Sequence, residues 1–380
     1  GGSLDNTEYP FKFTGNTTEF FGIWIVNVLL VMITFGIYSA WAKVRTNRYF
    51  YGHTVVNNSS FDYLANPLAI LKGWAIAALI FIAYNAIISI YPVVGAFGGI
   101  AFLIALPFIA VLSMRFRMKN TSYHNIRFVF TGQFGQAFFI FTFLPLLTFG
   151  LPALLIAMLA PRFNENTATA EIIPVFITLL VSSAIIILGL LPYIIYSQKR
   201  YVVEFTQFGQ TKFSYHGLIR TFYKISLLAG FILLTAMGIW IGLMVGVAGL
   251  MPGSEPTPQA AGLMFAFTLP VYIVYLLVYA YWTTAINNAV WNSAKLGEHE
   301  FRSSLSFLYM AWLYASNSLA IMFSFGLLVP WVKVRTARYR LSQLVLLPKG
   351  DVDEFIAQAQ QETNAIGEEI GEVMDMDIGL

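Results

Sequence analysis

Residues 172–196 read IIPVFITLLVSSAIIILGLLPYIIY and contain no charged side chain. A helix needs about 20 mainly apolar residues to cross the hydrocarbon core of a bilayer, so this run predicts a membrane-spanning helix. Five further runs have the same character, at 73–91, 95–114, 134–160, 225–251 and 260–283. Of the 380 residues, 58% are hydrophobic and only 11% are charged, against about 25% charged in soluble domains. The sequence therefore excludes a soluble enzyme and a disordered chain, and it predicts a polytopic membrane protein.

The distribution of Lys and Arg orients the six helices. The connections around 92–94, 161–171 and 252–259 hold only Arg162 between them, whereas the other connections carry basic clusters. Because basic residues accumulate on the cytoplasmic side of bacterial membranes, the basic connections should face the cytoplasm. The segment 351–380 carries nine acidic residues and no Lys or Arg. It is interpreted as an acidic cytoplasmic tail.

Two nearly identical motifs end two further apolar segments, 19–42 and 306–332. Trp41–Tyr49 reads WAKVRTNRY and Trp331–Tyr339 reads WVKVRTARY, with differences at two of nine positions. Such similar basic motifs belong on the same side of the membrane. Eight full crossings would place them on opposite sides.

A re-entrant course for the terminal segments removes this conflict. Gly36, Gly326 and Pro330 are possible helix-break positions, because Gly tolerates turn dihedrals and Pro interrupts a helix. The alternative is a kinked full span at one end.

Internal similarity suggests parallel repeats. Phe11–Gly15 reads FKFTG and Phe128–Gly132 reads FVFTG, and each leads into a helix that reaches Thr-Phe-Gly. Both copies begin and end on the basic side, whereas inverted repeats need an odd number of crossings. The predicted organisation is a first membrane repeat, a second repeat of four spans, a partial third repeat and the acidic tail, over 1–120, 121–298, 299–350 and 351–380.

Short segments between the spans alternate like strands. They lie at 54–63, 123–131, 201–215 and 294–301, and together with Phe11–Phe13 they suggest a small cytoplasmic sheet. The predicted fold class is nevertheless an all-α polytopic membrane protein. It has six core transmembrane helices, two broken or re-entrant terminal segments, short cytoplasmic β-hairpins and internal parallel repeats.

The chain resembles the YjgN family, bacterial inner-membrane proteins described by a domain of unknown function. The resemblance rests on the Phe-x-Phe-x-Gly entry, on TFGIYSAW at 34–41, on Arg48-Tyr49 and on the segments Gly367–Glu369 and Asp377–Leu380. It covers about 10–380 and implies a bacterial inner-membrane location. It implies no catalytic or ligand-binding residue. The distribution of Lys and Arg, and not the resemblance, predicts that both termini are cytoplasmic.

The twin motifs supply the first candidate site. Their cations lie at the membrane–cytoplasm interface, where anionic headgroups attract basic side chains by about 1 kcal/mol each. The possible headgroup contacts are Lys43, Arg45, Arg48, Lys333, Arg335 and Arg338. Plain topological anchoring is the alternative explanation.

A second candidate is a polar helical face in the last core span. Tyr272, Tyr275 and Tyr279 share one face by their spacing, and Asn287 follows, so these residues could line a cavity. An aromatic helix interface is the alternative. The chain contains no cysteine, and its four histidines show no ligand spacing, so we expect no metal site and no cofactor.

The sequence leaves two functions open. The first is a transporter, a channel or a lipid-handling protein. The second is a non-transporting scaffold or regulator that binds a partner through its cytoplasmic face and acidic tail. No nucleophile–base pair or phosphate loop is evident, so an enzyme is not expected. The expected partners are membrane lipids, a second copy of the chain or a cytoplasmic protein, and no nucleic acid.

Overall fold

The computed structural model describes the backbone of residues 7–370 apart from Pro252 and Ser254, and side chains as far as residue 365. The helices of this part of the chain are α1 (Thr17–Ile33), α2 (Ser39–Gly52), α3 (Pro67–Ile90), α4 (Val94–Lys119), α5 (Phe134–Phe138), α6 (Leu144–Leu159), α7 (Thr169–Glu204), α8 (Ile219–Gly249), α9 (Pro258–Ser293), α10 (Phe307–Phe323), α11 (Val329–Ser342) and α12 (Val352–Ile370). The strands are β1 (Tyr9–Pro10), β2 (Lys12–Phe13), β3 (Thr54–Val56), β4 (Ser59–Tyr63), β5 (Thr121–Tyr123), β6 (Ile126–Phe130), β7 (Thr206–Phe208), β8 (Thr211–Tyr215), β9 (Ala294–Leu296), β10 (His299–Ser303) and β11 (Leu344–Leu347).

Six helical stretches within the described residues are long and apolar enough to cross a membrane. They are Pro67–Ile90, Val94–Lys119, Phe134–Arg162, Thr169–Glu204, Ile219–Gly249 and Pro258–Ser293. Each contains all or nearly all of one of the six apolar runs, so that prediction is confirmed. The third stretch joins α5 and α6 through a π-helical turn, Phe139–Phe143.

The all-α fold class is wrong. Eleven strands pair antiparallel in one sheet, in the order β1-β11-β10-β9-β8-β7-β6-β5-β4-β3-β2. The predicted hairpins do form. The prediction missed the pairing of these hairpins with one another into one large sheet. Each strand is only two to five residues long, and strands of neighbouring hairpins lie far apart in the sequence.

The N-terminal segment closes this sheet into a barrel. β1 pairs with β11, β2 pairs with β3, and Phe11 between them donates its backbone N–H to the carbonyl of Leu344 at 2.9 Å. One short segment thus holds both ends of the sheet. Closure removes the exposed edges on which other chains could pair.

Two-residue turns join the strands of the four hairpins at one end of the barrel. Asn57-Asn58 and His124-Asn125 adopt positive φ at both positions, as type I′ hairpin turns require, while Gly209 and Gly297 adopt positive φ in the other two. The connections between the strands and helices α1 to α11 therefore leave from the opposite end, whereas the connection from β11 to α12 leaves from the turn end. We call these the turn end and the helix end of the barrel.

Helices α1 to α11 form a ring above the helix end. Each packs against its neighbour in chain order, and α11 returns to contact α1. The largest fully buried side chains include Phe20, Ile70, Tyr201 and Phe222, on α1, α3, α7 and α8. Each lies within a few residues of a strand or of a strand–helix loop. Tertiary packing is therefore concentrated where the helices meet the barrel.

Two terminal helical hairpins, α1–α2 and α10–α11, have the same geometry. At their tips Phe35 and Phe325 have φ 53°, and Gly36 and Gly326 have φ 91° and 89°. Both helix-break predictions at glycine thus fall within the turns. Pro330 does not, because it lies in the first turn of α11.

Candidate functional site

Alternation along the strands directs one set of aromatic side chains into the barrel. Cross-strand partners include Phe61 with Tyr123, Phe128 with Phe208, Phe213 with Leu296 and Phe301 with Leu346. Phe11 from the closing segment stacks near Phe61, with ring centroids 6.4 Å apart. Opposed side chains on one face of a sheet are close enough to pack, so the barrel has an aromatic interior.

This interior is not completely filled. A cavity of about 160 Å³ remains at its centre, lined by Phe11, Val56, Phe61, Tyr123, Phe128, Phe208, Phe213, Trp291, Leu296, His299, Phe301, Leu346, Val352, Phe355 and Ile356. Trp291 approaches from the last turn of α9, at the helix end. A lining of aliphatic and aromatic groups offers dispersion contacts and no fixed charge, which suits an apolar ligand.

The helix α12 covers the turn end of the barrel. Val352, Ile356 and Ala359 are buried in the same cluster as the barrel interior. The side-chain amide of Gln360 donates to the carbonyl of His124 in a hairpin turn, at 3.1 Å. The acidic side chains of the first turn point outward and are exposed. Residues 371–380 of the acidic tail lie outside the described residues.

His299 joins the barrel to the segment that leads into α12. Its Nδ1 accepts from the backbone N–H of Lys349 at 3.0 Å, and its ring packs edge-on against Phe355 with centroids 4.7 Å apart. Burial lowers the pKa of His299, and the neighbouring Glu298 opposes part of that shift. Burial thus favours the neutral imidazole, in which Nδ1 is the acceptor for the Lys349 N–H.

Tyr123 is the other polar group at the cavity wall. Its hydroxyl donates to the carbonyl of Val56 at 2.7 Å, and burial raises the pKa of Tyr123 to about 12. Among the described residues there is no group of three or more His, Asp or Glu side chains that could hold a metal ion.

The predicted headgroup arginines differ between the two motifs. Arg45 donates from Nη1 to Asn27 Oδ1 at 3.3 Å and to the hydroxyl of Tyr38 at 3.1 Å. Arg335, its counterpart, instead lies over the ring of Trp331, 4.3 Å from the centroid. Both guanidinium groups therefore contact their own hairpin.

The remaining four predicted cations differ in whether they contact the rest of the protein. Arg338 donates to the carbonyl of Gly15 at 2.9 Å and so ties α11 to the start of α1. Lys43, Arg48 and Lys333 are exposed. Their role as lipid contacts stays a prediction.

The predicted tyrosine face runs along α9 toward α10. Tyr272 and Tyr275 are exposed, the rings of Tyr275 and Tyr279 stack with centroids 6.2 Å apart, and Tyr279 packs against Tyr314 at 5.5 Å. Asn287, further along α9, is half-buried. The prediction that these residues line a cavity also stays open.

Sequence reasoning missed the cavity residues themselves. Their signal was present as alternating aromatics, for example Phe61-Asp62-Tyr63 and Phe213-Ser214-Tyr215. Alternation alone does not show which face points inward, because that depends on the pairing register. His299, one of the four histidines without ligand spacing, also lines the cavity.

Known relatives cover almost the whole chain. The family of bacterial proteins of unknown function called DUF898 matches residues 8–373. The chain belongs to this family. It is 27% identical over 355 residues to inner membrane protein YjgN of Salmonella typhimurium strain LT2, covering 87% of each chain. It is 24% identical to inner membrane protein YjgN of Escherichia coli strain K12, covering 93% of this chain and 91% of the relative.

These matches confirm the resemblance stated from the sequence. With the six apolar helices, they identify a multi-pass inner-membrane protein. No solved structure matches the chain.

Proposed function

We propose that this protein handles lipids and that its barrel binds the end of an acyl chain. The observation that carries the proposal is the apolar cavity of about 160 Å³ inside the barrel. An apolar cavity of about 150 Å³ stays dry and binds benzene-sized molecules, so this one has room for the terminal methylenes of a chain. Small barrels elsewhere enclose one small ligand in the same way. The role is binding rather than catalysis, because the lining supports contact and not proton transfer.

The membrane placement follows from helix length and charge. As a helix of 17 residues, α1 extends about 25 Å, less than the roughly 30 Å of hydrocarbon. Both terminal hairpins then re-enter, and their tips Phe35 and Phe325 are 97% and 96% exposed, which suits contact with lipid. The basic connections lie at the barrel, which supports our proposal that the barrel and both termini face the cytoplasm.

One observation favours a scaffold as the second candidate. The face of α12 that points away from the barrel is acidic and exposed, with Asp353 and Glu354 in its first turn. A basic partner protein would find a complementary surface there. Deleting 351–380 separates the candidates, because a scaffold would lose a co-purifying partner, whereas a lipid-binding barrel would lose the cover of its cavity.

The direct test is photocrosslinking with a sixteen-carbon fatty acid that carries a terminal diazirine. Purified protein is irradiated with this probe, and the modified peptides are identified by mass spectrometry. We expect crosslinks on cavity residues such as Phe208 and Trp291. The variant Val56→Phe fills the cavity and should abolish them.

The matched control is Val129→Phe, the same substitution on the outer face of the barrel, where the side chain is 41% exposed. It should leave the crosslinks unchanged. Crosslinks confined to the membrane helices, or equal crosslinking of both variants, would contradict the proposal.

A further inference from the structure

A groove of about 510 Å³ lies between the two terminal hairpins. It is lined by Thr46, Phe50, Asn317, Val332, Lys333, Thr336, Ala337 and Arg340, contributed by α2, α10 and α11. The lining combines two cations, two hydroxyls, one amide and three apolar groups, and it contains no carboxylate. Such a surface suits a ligand with an anionic head and an apolar part.

The two hairpins correspond residue by residue at a separation of 290 positions. Thr46 and Thr336 are counterparts and both line the groove. The exposure pattern along Trp41–Arg48 is repeated along Trp331–Arg338. A side chain or contact that differs between corresponding positions therefore identifies a property that only one of the two hairpins has.

The first difference is the charge of the groove. Arg340 stands where the first hairpin has Phe50, and the hydroxyl of Tyr314 accepts from its Nη2 at 3.2 Å. Lys333 is exposed on the same helix. Neither takes part in an ion pair with any residue that the structure describes. The two positive charges are thus available to an anion.

The second difference is an unpaired acceptor. In the first hairpin Asn27 Oδ1 accepts from Arg45. Its counterpart Asn317 is only 8% exposed and donates to Thr336 Oγ1 at 3.0 Å, but its Oδ1 has no partner in the described part of the chain. The ionised phosphate of a phospholipid carries no hydrogen-bond donor, so this acceptor distinguishes the two hairpins but does not contribute to binding an anion.

We propose that this groove is a binding site for the phosphate headgroup of an anionic membrane phospholipid. Lys333 and Arg340 contact the phosphate, the threonine hydroxyls donate to its oxygens, and Phe50 and Val332 pack against the start of the acyl chains. The site names the headgroup class for the lipid-handling role and so rests on that proposed function. The experiment that tests it measures headgroup binding only, separately from acyl-chain binding in the barrel.

The test is lipid titration of the purified protein, followed by native mass spectrometry. The probes are palmitoyl-oleoyl phosphatidylglycerol and the matching phosphatidylcholine. Each cation near an anionic headgroup contributes about a factor of five, so the double variant Lys333→Gln/Arg340→Gln should bind phosphatidylglycerol about twenty-five-fold more weakly. Its binding of phosphatidylcholine should not change. The charge-preserving variant Lys333→Arg/Arg340→Lys should retain phosphatidylglycerol binding, and unchanged phosphatidylcholine binding by the double glutamine variant excludes a folding defect.

The matched control is Lys12→Gln/Lys212→Gln, which removes two exposed cations from strands of the barrel, outside the groove and outside both basic motifs. Equal loss in this control would overturn the proposal in favour of a diffuse positive surface. The proposal would also be overturned if millimolar inorganic phosphate displaced the lipid from the groove, because the ligand would then be free phosphate. Fatty-acid crosslinking inside the barrel should be the same in all these variants, so failure of the headgroup site is distinguishable from failure of the barrel cavity.

Discussion

The barrel and the ring of helices bury their apolar residues against different partners. Inside the barrel, side chains such as Ile126 and Phe208 are 1% and 3% exposed. In the six membrane-length helices, between 0% and 28% of the residues in the most apolar window are buried within the chain. The helices therefore present their apolar faces to lipid, and the protein's own core lies in and next to the barrel. Because lipid tails are as apolar as leucine, the two regions should respond differently to loss of a side chain.

The largest difference should come from removing a phenylalanine. Phe208→Ala opens a void in the packed barrel and should lower the free energy of unfolding by about 3–5 kcal/mol. Phe231→Ala removes the same side chain from α8, where it is 69% exposed. We expect a change below about 1 kcal/mol there, because lipid fills the space. Reversible unfolding by sodium dodecyl sulfate in mixed micelles measures both. Equal losses would refute the division into two regions.

A smaller effect should follow from adding one methyl group. A Cβ on Gly132 would meet the hydroxyl of Tyr201 and the ring of Phe130, whereas a Cβ on Gly22 would meet nothing within 4 Å. Overpacking of this kind costs about 1–3 kcal/mol, so Gly132→Ala should be destabilised by that amount. Gly22→Ala should be neutral or slightly stabilised, because alanine favours a helix. The same unfolding assay compares them, and a neutral Gly132→Ala would show that the loop is loosely packed.

The sequence predicted the helices far better than the barrel, for physical reasons. A bilayer requires about 20 apolar residues in one continuous run, so the signal of a span is local. The barrel is built from strands of two to five residues, and its closure pairs Phe11 with Leu344 across most of the chain. No local pattern specifies that pairing.

The candidate sites were likewise predictable from the sequence only in part. The twin basic motifs were visible because nine residues recur almost unchanged. The contacts of the two arginines were not visible. Asn27 lies 18 residues before Arg45, and Asn317 lies 18 residues before Arg335, each on the preceding helix. The nearly identical motifs therefore did not indicate that the Oδ1 of one asparagine is paired and the Oδ1 of the other is not.

A third prediction concerns the contact between α12 and the barrel. Because burial lowers the pKa of His299, the native state holds fewer protons on this group than an undocked state does. The stability of docking should be greatest above the ordinary histidine pKa of about 6.5 and should fall as the pH falls below it. A spin label on Gln358→Cys, on the exposed face of α12, should become more mobile at pH 5.5 than at pH 7.5.

Two variants sharpen that measurement. His299→Gln keeps an acceptor for the Lys349 N–H but does not titrate, so label mobility should no longer depend on pH. His216→Phe removes an exposed histidine and should leave the pH dependence intact. A label that responds to pH equally in both variants would assign the effect to another group.

The central claim is that the barrel lies beneath the membrane on the cytoplasmic side, with both terminal hairpins returning to it. Single cysteines at Lys43, Lys333, Asn58 and Asn164 test it directly, because the chain has no cysteine of its own. In intact cells and inverted vesicles, a membrane-impermeant maleimide should label the first three positions only from the cytoplasmic side and Asn164 only from the periplasmic side. Labelling of Lys43 and Lys333 from opposite sides would contradict the account.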